Sequence, residues 1–330
     1  MSIPKQGLSG LCNLGNTCYL NSSIQVLLNV HEMNLYLKDV KNVNKTQDSI
    51  ILKEYLNLYN VLMSGNVIVS PNRFIKNIHE ISKIKQNEFC GFSQNDATEF
   101  LHFIIDCIHE SLKNIDKRLK IDIKTSDRKF VSFIKKNYLD ENMSIIQNIF
   151  SGFIVNDIIY EDKVVSKRFE HFYALHIPLL NVKSNILEDC IHEYFMDEYF
   201  DGDNLYYYED IKDHVKATKQ IRISHFPKIL MINLKRWNYN LKKIRKKIHY
   251  NFEPLDLSQY KDDSCKQENT TYELFAIVNH TGNIFGGHYY ANIKKENGKW
   301  YTFNDTNIVK INEKNIISEK NYCLYFRQIE

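Results

Sequence analysis

What this 330-residue chain lacks is a charge excess, paired cysteines and any long apolar run. The formal net charge is +3, too small to argue for a nucleic-acid or membrane partner. Seven cysteines stand at 12, 18, 90, 107, 190, 265 and 323. Their number is odd, and no two are three residues apart as in a zinc knuckle, so they read as reduced intracellular thiols. No stretch approaches the roughly 20 apolar residues of a membrane helix, and Met1–Gln6 has no signal core. The expectation is a cytoplasmic or nucleocytoplasmic protein. Repeats and low-complexity tracts are also missing. What remains, 43% hydrophobic and 25% charged residues, is ordinary for a soluble globular chain, and its length would allow two domains.

The stretch Gly7–Leu28 is the most informative. Gly7, Gly10, Asn13, Gly15 and Asn16 read as irregular backbone, because Gly and Asn tolerate positive φ. After Cys18 the pattern turns helical, with Leu20, Ile24, Leu27 and Leu28 on one stripe. Cys18 thus opens a helix, where unpaired N–H groups and the helix dipole favour thiolate. By itself, a lone cysteine before a helix is more often core filler than a nucleophile.

A nucleophilic cysteine needs a base and a group to orient it. Gly286-Gly287-His288-Tyr289-Tyr290 opens an alternating run, and Trp300-Tyr301-Thr302-Phe303-Asn304-Asp305 closes another. The Lys/Glu/Asn/Gly stretch between them predicts a hairpin that brings His288 near Asn304. The order Cys, His, Asn is that of papain-like proteases, although the local papain signature around the cysteine is absent.

With these residues in view, the chain resembles the ubiquitin-specific protease family. Gly10-Leu11-Cys12-Asn13-Leu14-Gly15-Asn16-Thr17-Cys18-Tyr19-Leu20-Asn21-Ser22 resembles its Cys box, and the Gly-Gly-His and Trp300–Asp305 segments resemble its His box. Gln94-Asn95-Asp96-Ala97-Thr98-Glu99-Phe100-Leu101 and Leu234-Lys235-Arg236-Trp237 resemble two intermediate signatures. The matches run in the family's order from Gly7 to about Phe326.

The resemblance implies an α+β, papain-like cysteine protease with a helical thumb, a β-sheet palm and β fingers. Periodicity agrees. Helical stripes at Ile51–Leu62, Phe74–Ile78 and Ala97–Leu112 precede strand-like runs from Val164 to Phe326, with one helical pattern at Leu187–Phe195. The expected division is one catalytic domain, with thumb 1–115, a polar insertion 116–145, fingers and part of the palm 146–225, and palm 226–330. The polar stretch Asn114–Asn142 reads as a partly solvated insertion with no structure assigned.

By the same resemblance, Cys18 is the nucleophile, His288 the base and Asn304 the residue that orients it. Asp305 is the alternative orienting group. Asn13, five residues before Cys18, is the oxyanion donor. Asp96 and Glu99 face the arginine-bearing tail of ubiquitin, and Gly286 and Gly287 leave room for its two terminal glycines. The implied activity is a thiol-dependent ubiquitinyl hydrolase acting on ubiquitin and ubiquitinated proteins, aided by partners for targeting. A non-cleaving ubiquitin-binding module and a protease for another modifier are the alternatives. Many members hold the fingertip with zinc on two Cys-x-x-Cys pairs. The matching places here, about Ile159 and Asp162 and about Tyr208 and Ile211, carry no cysteine, so the expectation is an enzyme without metal or other cofactor. The basic run Lys235–Lys247 reads as a solvated hairpin rather than a nucleic-acid patch.

Overall fold

The structure, a computed structural model, describes residues 7–329 except 118, 120, 121, 140, 141, 181 and 285. Helices lead. They are α1 (Cys18–Leu27), α2 (His31–Lys38), α3 (Ser49–Met63), α4 (Asn72–Ile84), α5 (Ala97–Leu112), α6 (Arg128–Ile134), α7 (Ile145–Phe150) and α8 (Leu187–Phe195). Strands β1 (Gly10–Leu11) and β2 (Ile68–Val69) form a small parallel pair within the helical lobe. The fingers are β3 (Gly152–Tyr160) and β4 (Lys163–Phe172), followed after β5 (Ala174–Pro178) by β6 (Glu198–Phe200), β7 (Tyr206–Tyr208), β8 (Asp213–Val215) and β9 (Ala217–His225). The order β4-β3-β9-β6 makes one sheet, with β7–β8 as a separate hairpin. The palm adds β10 (Ile229–Lys235), β11 (Leu255–Asp256), β12 (Thr271–Asn283), β13 (Gly286–Lys294), β14 (Trp300–Asn304), β15 (Asn307–Ile311) and β16 (Asn321–Gln328). Its order is β15-β14-β13-β12-β16-β10-β5, with β11 paired to β12.

The palm sheet is buried on both faces because side chains alternate along each strand. Met231, Cys323, Tyr325, Tyr289, Ala291 and Ile293 join α1, α3 and α5 in one core. Their neighbours Leu230, Ile232, Leu324 and Phe326 face the other way and pack with α8 in a second core.

Helix α1 lies inside the first core, and every one of its residues is buried. The polar residues off its apolar stripe are satisfied internally. Ser23 Oγ donates to Ala97 O (2.8 Å) and Gln25 Nε2 to Ser9 O (2.8 Å). A buried helix needs such partners, since an unpaired polar group there costs about 1–3 kcal/mol.

The polar stretch after α5 is more ordered than its composition suggests. Asp127 caps α6 by accepting from Lys129 N (2.7 Å) and Phe130 N (3.2 Å). Phe130 and Ile134 pack with Phe153 in a small third core. The segment does not show this by itself, because Phe153, which closes that core, comes from β3. Arg118, Lys120, Ile121, Asp140 and Glu141 of the stretch lie outside the described residues.

Candidate active site

The loop before α1 is tied to itself so that Cys18 becomes the first residue of the helix. Leu14 N donates to Thr17 Oγ1 (2.9 Å), and Thr17 N donates to Asn13 Oδ1 (3.1 Å). Gly15 (φ 90°) and Asn16 (φ 56°) supply the left-handed turn expected of them. Gly10, read as irregular backbone, is instead in β1, and its lack of a side chain has another purpose. A Cβ there would fall 2.8 Å from Thr306 Cα, so glycine lets the tip of the β14–β15 hairpin dock on the loop before Cys18.

That docking assembles the site. His288, on β13, places Nε2 2.6 Å from Asn304 Oδ1 at the end of β14. The Cys18 thiol neighbours the same imidazole as the largest influence on its charge, and with Nε2 taken by Asn304, Nδ1 is the nitrogen left for sulfur. The His288 pKa rises from its ordinary 6.5 to about 9. The Cys18 thiol is the main cause, with help from the Asn304 bond and the Asp305 charge, while burial opposes them. Cys18 is 3% exposed, so a reagent must enter the cleft to reach it.

Asp305 sits in the two-residue turn between Asn304 and Asn307 with φ 51°, a value Asp accepts more readily than most residues. Leu11 N donates to its carbonyl (3.0 Å). Its carboxylate accepts from Asn13 Nδ2 (3.0 Å) and Asn21 Nδ2 (2.7 Å), and lies 4.0 Å from His288 Nε2. It therefore clasps the loop before Cys18 to α1, while Asn304 holds the imidazole directly. Asn21, three residues beyond Cys18 and on the same helical face, went unread although its spacing carried the signal.

The acidic pair separates. Asp96 is the N-cap of α5 rather than part of its first turn, and its Oδ1 accepts from Thr98 N (2.7 Å) and Glu99 N (3.1 Å). Its Oδ2 accepts from Tyr322 Oη and from Tyr289 Oη (3.3 Å). Both oxygens are thus engaged within the protein. Glu99 remains exposed to the cleft. Its pKa is raised by partial burial and by the charges of Asp96 and Glu88, the state of a carboxylate that a cation would relieve. Together Asp96, Glu99, His102, His176 and Trp237 line a cavity of about 400 Å³. Sequence spacing gave no sign of the two tyrosines.

The glycine pair separates too. A Cβ on Gly286 would meet nothing within 4 Å, so this glycine borders open space. A Cβ on Gly287 would fall 2.2 Å from His280 Nε2, so this glycine is required by the protein's own packing. His280 is buried, with Lys243 Nζ 2.9 Å from its Nδ1 and donating to its carbonyl (2.6 Å). Burial first, and then Lys243, lower its pKa to about 4.

Much of the basic run is engaged internally. Arg236 is fully buried and donates to Ile244 O (2.9 Å) and Lys246 O (2.8 Å), while Lys246 Nζ donates to Val182 O (2.5 Å). These cations position the hairpin, while Lys235, Lys242, Arg245 and Lys247 stay exposed.

At the fingertip, Ile159, Asp162, Tyr208 and Ile211 offer one carboxylate and no thiolate or imidazole, a donor set that does not fit zinc. Among the described residues no group of three or more His, Cys, Asp and Glu side chains is placed to hold a metal. Tyr160 and Tyr208 meet edge-on there, with ring centroids 5.8 Å apart. Among the described residues, too, no helix is long and apolar enough to cross a membrane.

The family model described as ubiquitin carboxyl-terminal hydrolase matches residues 9–326. The chain is 29% identical to ubiquitin carboxyl-terminal hydrolase 2 of Bos taurus over 97% of its own length and 55% of that protein's. It is 31% identical to ubiquitin carboxyl-terminal hydrolase Usp2 of Drosophila melanogaster, over 98% of its length and 35% of the relative's. The chain thus spans about half the length, or less, of these curated relatives. Its fold is similar to that of the SAGA Ubp8 DUB module solved with ubiquitin aldehyde, at a TM-score of 0.76 and 23% identity, covering 99% of this chain and 70% of that one.

Proposed function

Since the chain belongs to the ubiquitin carboxyl-terminal hydrolase family, we propose that it is a cysteine deubiquitinase cleaving the isopeptide or peptide bond after the C-terminal glycine of ubiquitin. The observation that carries this reading is the contact of Cys18 with a His288 whose pKa is raised to about 9 and whose far nitrogen is held by Asn304. Cys18 Sγ attacks the glycine carbonyl. His288 then gives its proton to the departing lysine amine, leaving a thioester. Water, deprotonated by His288, hydrolyses the thioester and restores the thiol.

Asn304 fixes the imidazole so that one nitrogen always faces sulfur. Asn13 Nδ2 gives one hydrogen to Asp305 and keeps its second for the tetrahedral oxygen, beside the Cys18 backbone N–H. Asp305 is a positioning residue in this scheme, acting through Asn13 and Asn21. Glu99 reads the basic tail of ubiquitin, and Gly286 leaves its backbone open to the terminal glycines. Asp96 acts indirectly by fixing the start of α5. Thumb 1–115 and palm 226–330 form the cleft walls, and the fingers within 146–225 carry the globular part of ubiquitin. The acceptor proteins and any targeting partner are set by surfaces outside this chemistry.

The test is incubation with ubiquitin bearing a C-terminal electrophile, with analogues of other Gly-Gly-ending modifiers in parallel. Covalent capture of ubiquitin alone, lost in Cys18→Ala, is the expected result. Capture surviving in Cys18→Ala overturns the nucleophile, and capture of another modifier in preference overturns the substrate.

A further inference from the structure

Gln94 bridges the two walls of the cleft. Its Oε1 accepts from Gly287 N at 2.6 Å, and its Nε2 lies 3.5 Å from Asn16 Oδ1. Gly287 immediately precedes the proposed base, and Asn16 lies two residues before the proposed nucleophile. The side chain is therefore stretched between the residues that flank the reacting pair on either side. Gln94 belongs to the loop leading into α5, and that loop is itself anchored: Asn16 Nδ2 donates to Phe92 O (2.9 Å), and Phe92 packs against Gly15.

The donor that Gln94 occupies is one an extended chain would use. Strand β13 pairs with β14 only from Ala291 onward, so its first residues end the sheet beside the cleft. An open strand edge takes up the peptide groups of an added chain through just such N–H donors. The carboxamide of Gln94 has the same atoms and polarity as a peptide unit. It presents a carbonyl oxygen to Gly287 and an N–H toward Asn16, on the line a tail must follow to bring its last carbonyl to Cys18.

We propose that Gln94 is a bolt closing the empty cleft, its carboxamide standing in for a peptide group of the incoming tail and leaving when that tail takes over the Gly287 donor. This inference rests on the deubiquitinase reading. Gln94 and its bond to Gly287 are exposed to solvent, so withdrawal is open to it without unfolding the loop. A single exposed bond of this kind is weak, and its release on substrate entry changes apparent affinity by about 2–10-fold. Glutamate at this position keeps the acceptor and adds charge, which strengthens a bond from a backbone N–H.

The experiment measures, for the whole chain, the second-order rate of labelling by ubiquitin with a C-terminal electrophile, beside the rate of alkylation by iodoacetamide. Gln94→Ala should label about 2–10 times faster with the ubiquitin probe than the unaltered protein, and Gln94→Glu more slowly, while iodoacetamide rates and melting temperatures stay within twofold and a degree or so of each other. If both substitutions slow ubiquitin labelling, Gln94 serves the bound tail rather than replacing it, and the bolt is overturned. Equal rates for all three proteins overturn it as well. Failure of the unaltered protein to react with the ubiquitin probe, with iodoacetamide still taken up at Cys18, overturns the deubiquitinase reading instead.

Discussion

Exchanging Asn304 and Asp305 separately tests how the site divides its work. Asn304→Ala removes the acceptor that holds His288 Nε2 at 2.6 Å, yet touches neither the nucleophile loop nor the turn. The imidazole remains, but its orientation is lost, so kcat should fall on the order of 10²-fold with little change in KM. Stability should change by less than about 1 kcal/mol, because the bond is partly solvated. Asp305→Ala is a different perturbation. It strips the carboxylate from Asn13 and from Asn21, whose side chain is almost fully buried, and it puts alanine at φ 51°. Charge-assisted bonds of about 1.5–3 kcal/mol and a backbone cost of about 1–2 kcal/mol combine to a loss of roughly 3–5 kcal/mol. Asp305→Asn keeps the turn and separates charge from geometry; about 1–2 kcal/mol of stability and on the order of tenfold in kcat should go, through a displaced Asn13. The assay is steady-state cleavage of a fluorogenic ubiquitin amide, with thermal melts of the same samples. If Asp305→Asn abolishes turnover at unchanged stability while Asn304→Ala keeps most of it, the carboxylate orients His288 and the division drawn from the 2.6 and 4.0 Å distances is wrong.

His288 sets the alkaline limb. Its folded pKa is raised to about 9, so the protonated form and the stability it contributes are fully present below about pH 6.5 and lost as pH rises through 9. kcat/KM should fall over the same upper range, and Asp305→Asn should move that fall to lower pH; a limb that stays put would remove Asp305 from the causes. Asp96→Ala should cost about 2–4 kcal/mol through the lost cap and two buried tyrosine hydroxyls, whereas Glu99→Lys should leave the melting temperature nearly unchanged and raise KM. The reverse pattern in melts and kinetics would return Asp96 to the substrate. Gly287→Ala should disorder the His280 neighbourhood and lower both stability and kcat, while Gly286→Ala should affect KM alone; equal melting temperatures for the two would contradict the packing at Gly287. Elemental analysis should find no stoichiometric zinc, and chelators should change neither activity nor melting temperature; one equivalent of metal lost together with stability would refute this.

Local pattern carried the sequence reading where the physics is local. Cys18 at a loop-to-helix junction follows from Gly15 and Asn16 and the stripe after them, and the β13–β14 hairpin follows from alternation around a polar turn. These features depend on residues a few positions apart, which is the range over which backbone preferences and side-chain periodicity act. Tertiary structure decided the rest. Whether Asn304 or Asp305 meets His288 depends on the handedness of a two-residue turn and on its docking against Gly10, about 295 positions earlier in the chain. Asp96 and Glu99 look alike in the sequence, and only the fold shows Tyr322, 226 residues away, donating to the second oxygen of Asp96. The polar residues of α1 find their partners only in Ala97 and Ser9, and α6 looks like coil until Phe153 closes over Phe130. In each case the decisive partner lies on another element, and nothing in the periodicity of one segment records which distant side chain will fill its remaining hydrogen bond or cover its apolar face.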